Sequence, residues 1–217
     1  MNPSIPSHPR PRGLLLDAMG TLFGLREPVG RTYARWAARH GLTLEAGQLE
    51  QGFRTAYRTA PPLAFPGLEG PALHQAELGW WADRIAASLA AAGAATMPSG
   101  LASELFEHFA DPGPWRVYPE VPARLEQWHR QGLRLAVVSN FDSRLPALLD
   151  RLGLARWFRA VVVSSSAGAA KPDPAPFRQA LQQLDLPATA AWHVGDSPED
   201  VAGARAAGLP CVLVRRS

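Results

Sequence analysis

The chain is predicted to fold as a doubly wound α/β domain, a parallel sheet with helices on both faces, carrying an inserted all-helical cap. Three observations lead there. Short apolar runs recur at Gly13–Ala18, Leu133–Ser139, Ala160–Ser164, Ala190–Gly195 and Cys211–Val214, each passing into polar or glycine-containing residues as a buried strand does on leaving a sheet. Helical patterns separate the later runs, the alternation expected of a parallel sheet. The first two runs are separated by residues 19–132, far beyond a normal crossover, and residues 25–113 of that gap read as helical throughout.

Taken in order, residues 1–12 hold four prolines and no apolar segment of a secretory signal, so they read as a disordered tail. Gly13–Ala18 is the first strand and enters a tight turn at Met19-Gly20-Thr21. The cap, residues 25–113, opens with Pro28, suited to the first position of a helix that carries Val29, Tyr33, Trp36 and Ala37 at helical spacing. A second helix starts near Thr43, carries Leu49, Phe53, Ala56 and Tyr57, and stops at Pro61-Pro62. A third presents Leu78, Trp81, Ile85 and Leu89, and a fourth Leu101, Leu105 and Phe109. Residues 13–24 and 114–217 form the α/β core, with helices at Arg144–Leu152, Pro176–Leu184 and Glu199–Ala207. Asp142 or Ser143 reads as the N-cap of the first of these. The single cysteine, Cys211, excludes an intrachain disulfide and reads as a buried strand residue.

Composition narrows the partners. The net charge is +3, but the basic residues are interleaved with Asp and Glu and form no run, which argues against nucleic acid. No apolar stretch approaches the roughly 18 residues of a membrane span, so a cytoplasmic protein is expected.

In a parallel sheet, ligands bind beyond the carboxyl ends of the strands. At those ends this sequence places Asp17, Ser139-Asn140, Lys171 in the loop after the third strand, and Gly195-Asp196-Ser197-Pro198-Glu199-Asp200. Lys171 is the only lysine among the 22 lysines and arginines, a compact ammonium suited to a phosphate or a crowded carboxylate. Each piece alone has a plain structural reading: Asp17 as a turn cap, Ser139 and Asn140 as the start of a loop, Asp200 as a first-turn acid favoured by the helix dipole. Together they make a constellation fit for Mg²⁺, which takes hard oxygen ligands, and for a phosphoryl group.

In that order, Asp17-Ala-Met-Gly-Thr21, Val138-Ser139-Asn140, Lys171-Pro-Asp and Gly195-Asp196-x-x-x-Asp200 resemble the four motifs of the haloacid dehalogenase-type hydrolase superfamily, over residues 13–217. The helical insert resembles that family's first type of cap. One subgroup is closest, sharing Gly52-Phe-Arg-x-Ala-Tyr-Arg58 and Ser139-Asn-Phe-Asp142. The resemblance implies Asp17 as nucleophile toward phosphorus, Ser139 bonded to the phosphoryl oxygens with Asn140 nearby, and Lys171 neutralising charge between phosphate and Asp17. It also implies Mg²⁺ held by Asp17, the Met19 backbone carbonyl and Asp196, with Asp200 as a ligand or behind one. The substrate implied is a small phosphorylated metabolite.

Met19 departs from the family pattern. The family carries a second aspartate there, which protonates the leaving oxygen and then activates water; a thioether does neither. General acid–base help is worth about 10²–10⁴-fold, so hydrolysis of alkyl phosphates should suffer by that order. Haloacid dehalogenases have tyrosine at this position, but they work without metal and replace the Gly-Asp of the fourth motif, which this chain keeps. Phosphonoacetaldehyde hydrolases need a cap lysine, and residues 25–113 contain none. The rival expectation is a non-catalytic member that keeps the site for binding.

Other candidates are weaker. His8, His40, His74, His108, His129 and His193 show no zinc spacing, and His193 reads as a sheet residue. Trp80-Trp81 and the other cap aromatics read as core. Arg54 and Arg58 read as solvated arginines, with contact to an anionic substrate as the alternative.

Overall fold

The computed structural model describes residues 10–216. The proline-rich tail therefore lies mostly outside the described residues. Its end does not: Arg12 donates to the Ala190 carbonyl and accepts from the Arg134 amide, extending the sheet by one residue.

Five parallel strands build the main sheet, and they coincide with the apolar runs of the sequence. They are β1 (Gly13–Leu16), β4 (Arg134–Ser139), β5 (Ala160–Val163), β6 (Ala191–Gly195) and β7 (Cys211–Leu213), in the order β5-β4-β1-β6-β7. The two missing numbers belong to a short antiparallel ribbon of β2 (Phe23–Leu25) and β3 (Trp115–Val117). Strand residues alternate between faces, and both faces are apolar, as a doubly covered sheet requires. Leu14, Leu16, Leu135 and Val137 pack under α5 (Val121–Arg130) and α6 (Leu145–Arg151). Leu15, Ala136, Val138 and Val162 pack under α8 (Ala175–Leu184) and α9 (Pro198–Ala206) on the other face. A single turn, α7 (Ser164–Ala167), follows β5.

Between β2 and β3 runs the helical cap: α1 (Val29–Arg39), α2 (Ala46–Arg58), α3 (Gly70–Ala91) and α4 (Leu101–Ala110). The helices share a separate apolar cluster that includes Leu49, Ile85, Leu89, Leu101 and Leu105. Leu25 and Phe109 touch both this cluster and the sheet's. Gly52 lets α2 and α3 approach closely, since a Cβ there would meet Ala91 Cβ at 2.8 Å and Ser88 Cα at 3.0 Å.

Several details differ from the sequence expectation. Pro28 is the N-cap of α1 rather than its first residue, with an extended ψ of 144°. The buried face of α3 runs through Leu73, Glu77, Trp80, Ile85, Ser88 and Leu89, so it includes two polar residues that an apolar pattern passes over. Helix α6 is capped at Arg144; Asp142 accepts from the Arg144 amide but is not the cap residue. Cys211 is only half-buried, because β7 is an edge strand whose Val212 and Leu213 face outward. Among the described residues no helix is long and apolar enough to cross a membrane.

Candidate active site

Three of the sequence-selected side chains meet directly at the end of β1. The Asp17 amide still donates to Val194 of β6, which holds the residue in line with the sheet as its carboxylate leaves it. Ser139 Oγ, at the end of β4, donates to Asp17 Oδ1 at 3.0 Å, and Lys171 Nζ donates to the same oxygen at 2.6 Å. Both donors bind Oδ1 rather than Oδ2.

Lys171 is fully engaged. Its ammonium also reaches Asp200 Oδ1 at 2.6 Å and the Val138 carbonyl at 3.2 Å. Burial alone would lower its pKa; the charges of Asp17 and Asp200 and their hydrogen bonds overcome that and raise it. Asn140 lines the same cavity, but its side chain holds the Lys171 backbone, donating to the carbonyl at 3.0 Å and accepting from the amide at 2.7 Å. The amide thus fixes the lysine loop to the end of β4.

The two carboxylates of the fourth motif sit in opposite environments. Asp200 closes a capping box with Ser197 at the start of α9. Its Oδ2 accepts from the Asp196 and Ser197 amides, at 3.1 Å each, and from Ser197 Oγ at 2.8 Å. Its Oδ1 accepts from Lys171 and pairs with His193 Nε2 at 2.8 Å. Burial would raise its pKa, but these hydrogen bonds and the Lys171 charge hold it well below the carboxylate range. Asp196 is exposed at the cavity and has one hydroxyl donor, Thr21 Oγ1 at 3.1 Å. Desolvation and the neighbouring Asp17 carboxylate push its pKa up to about 6. Gly20, with φ +89°, makes that approach possible: a Cβ there would stand 2.2 Å from Asp196 Oδ2. Oxygen atoms of Asp17, Asp196 and Asp200 lie within 4.8 Å of one another.

Met19 lies in the turn between Asp17 and Thr21. Its peptide is clamped by the Phe23 amide on Ala18 O and the Gly20 amide on Phe23 O, and its side chain is 49% exposed and lines the cavity. The cavity, about 610 Å³, lies between this sheet edge and the cap. Tyr57 and Trp81 face it; Trp80 is more deeply buried and donates to Pro61 O. Arg54 pairs with Glu50 on the surface at 2.9 Å, whereas Arg58 lines the cavity and has no ion-pair or hydrogen-bond partner among the described residues.

Sequence reasoning missed several of these residues. His193 carried no signal as a lone histidine in an apolar strand, yet it is fully buried against Asp200 and edge-on to Phe177. Thr21 escaped attention as an ordinary turn residue. A buried polar joint between cap and core was also invisible. Glu77 accepts from Ser143 N and Oγ, at 2.8 and 2.6 Å, and Trp81 Nε1 donates to Asp142 Oδ2 at 2.7 Å. Arg144 completes the joint, pairing with Asp142 and donating to the Phe106 carbonyl.

The family described as haloacid dehalogenase-like hydrolase matches residues 11–208. Haloacid dehalogenase-like hydrolase domain-containing protein 3 of Bos taurus is 40% identical over 209 residues, covering 94% of this chain and 81% of that protein. That protein belongs to the subgroup to which the Gly52–Arg58 and Ser139–Asp142 segments pointed. Among solved structures, a HAD phosphatase from Thermococcus onnurineus superposes with a TM-score of 0.65 at 22% identity, covering 94% of this chain and 86% of that one. The L-2-haloacid dehalogenase of Xanthobacter autotrophicus gives 0.67 at 20%, covering 94% and 77%. These two likenesses establish the fold and do not separate the two chemistries.

Proposed function

Because the chain belongs to the haloacid dehalogenase-like hydrolase family, we propose that it is a cytoplasmic Mg²⁺-dependent hydrolase of phosphatase type, acting through an aspartyl-phosphate on a small phosphorylated metabolite. The observation that carries this reading is the convergence of Ser139 and Lys171 on one oxygen of Asp17, with Asp196 alongside. Residues 25–113 act as the cap over a core of 13–24 and 114–217.

The donor set suits Mg²⁺, being hard oxygens close together. Asp200 has spent both its oxygens on five donors, so Asp17, Asp196 and the Met19 carbonyl would hold the ion, with Asp200 behind them. Bound there, Mg²⁺ supplies stabilisation of charge on the phosphoryl oxygens.

Asp17 Oδ2 attacks phosphorus, and the bond to the leaving oxygen breaks with its electron pair on that oxygen. Lys171 and Ser139 hold Asp17 in position and face the incoming charge. Water then displaces the carboxylate from phosphorus, releasing inorganic phosphate and restoring Asp17. Met19 serves neither step as acid or base, so turnover is weak and good leaving groups are favoured. Retention of Gly195-Asp196 favours this chemistry over dehalogenation. One observation, Met19 itself, favours a second reading, a non-catalytic phosphate-binding protein.

The test is p-nitrophenyl phosphate turnover with Mg²⁺ and with EDTA, and mass spectrometry of acid-quenched protein. Mg²⁺-dependent release and one phosphoryl group on Asp17, both lost in Asp17→Asn, are expected. No turnover and no adduct under any condition would leave the binding reading in its place.

A further inference from the structure

The roof of the cavity is poorly suited to a polyhydroxylated metabolite. Phe53, Tyr57, Trp80, Trp81 and Phe106 of the cap line it, and Phe141 of the core adds a further ring. Tyr57 packs edge-on to Trp80 at 5.9 Å and parallel to Trp81 at 6.3 Å, and Phe53 leans on Tyr57 at 5.8 Å. Several polar groups among these walls are already committed, whereas the Arg58 guanidinium and the Tyr57 hydroxyl have no hydrogen-bond partner among the described residues. Trp80 Nε1 donates to Pro61 O, Trp81 Nε1 to Asp142, and Arg144 is bound to Asp142 and the Phe106 carbonyl. Sugar hydroxyls turned toward the ring faces would lose water without finding partners there, which is unfavourable. Met19, half-exposed on the same cavity, extends the apolar surface toward Asp17.

We propose that this cavity receives an apolar, ring-sized leaving group, so that the substrate is an aryl phosphate. The proposal rests on the phosphatase reading of Asp17 and deepens it. The two features reinforce each other. A phenolic oxygen leaves with the bonding pair as phenolate and needs no proton from the absent acid, and its ring is what the aromatic walls bury. A volume of about 610 Å³ holds a substituted ring together with its phosphoryl group.

The test uses phenyl phosphate and its p-methyl, p-ethyl and p-propyl derivatives, because an alkyl chain adds apolar area while barely altering the phenol's acidity. Binding of the matching p-alkylbenzyl phosphonates, which cannot be hydrolysed, is followed by tryptophan fluorescence with Mg²⁺ present. Both kcat/KM and phosphonate affinity should rise by roughly fourfold per added methylene, and Tyr57→Asp should reduce that step below twofold. A gradient in phosphonate affinity without any turnover would sink the phosphatase reading and retain the apolar site. Turnover with no gradient, or a sugar phosphate processed as well as the aryl series, would overturn the proposal and leave the chemistry standing. Absence of phosphonate binding would overturn it as well.

Discussion

On the sheet side of the cavity Lys171 and Asp200 each have several polar partners, whereas on the cap side the rings mainly meet one another. Asp200 accepts from five donors and Lys171 donates to three acceptors, so their positions are over-determined. The cap wall is a set of ring contacts at 4.8 to 6.3 Å, with Tyr57 still 45% exposed. Directional bonds fix one geometry; apolar contact is non-directional and tolerates repacking. The sheet edge is therefore held in one geometry, whereas the cap wall can repack around what enters the cavity.

The largest effect should come from breaking the sheet side. Lys171→Met leaves Asp17 and Asp200 buried without their cation, at a cost of about 3–5 kcal/mol, read by urea unfolding in EDTA. A loss below about 1 kcal/mol would mean that the two carboxylates are compensated from elsewhere.

The next effect concerns Asp196. Its pKa moves from 3.8 to about 6 on folding, so between these values the folded state holds a proton that the unfolded state has released. Metal-free stability should therefore fall as pH rises through that window. Mg²⁺ competes with the same proton, so its stabilisation should be small at pH 5 and full above pH 7. Thermal unfolding at both pH values, with Mg²⁺ and with EDTA, checks this. A Mg²⁺ shift that is independent of pH, or that persists in Asp196→Asn, would contradict the assignment.

A smaller effect sharpens the boundary between the two sides. Glu77→Gln replaces the charged acceptor of two Ser143 hydrogen bonds and should cost about 1–2 kcal/mol. The folded cap should then sample open states more often, giving faster hydrogen exchange in α3 than in β1 or β4. Unchanged stability and exchange would show that the polar joint does not hold the cap down.

The same contrast explains what could be read in advance. Asp17, Ser139, Lys171 and Asp196 were legible because each follows a recognisable apolar strand, and parallel topology dictates that such ends meet. The β2–β3 ribbon was missed because three residues per strand are too few for periodicity to register. Glu77 and Ser88 were passed over because the partners that make their burial tolerable, Ser143 and the Leu49 carbonyl, are remote in sequence. Asp142 was read through its neighbours as a cap, whereas its main partners are Arg144 and, from the cap, Trp81. The spacing of the cap aromatics reads as core, which holds for the burial of Trp80; yet Trp80, Trp81 and Tyr57 all line the cavity, because helical spacing does not distinguish a packed face from one facing a void.

On the proposed function, Met19 removes acid–base assistance while leaving the rest of the site intact. This is tested most directly by the dependence of kcat/KM on leaving-group pKa, from p-nitrophenyl phosphate to alkyl phosphates, in wild type and in Met19→Asp. The wild type should show a steep dependence, with alkyl phosphates slower by the general-acid factor of about 10²–10⁴, and Met19→Asp should recover part of it. A wild type that hydrolyses aryl and alkyl phosphates equally well would contradict the account. It would mean that another group lining the cavity, such as Glu199, supplies the proton.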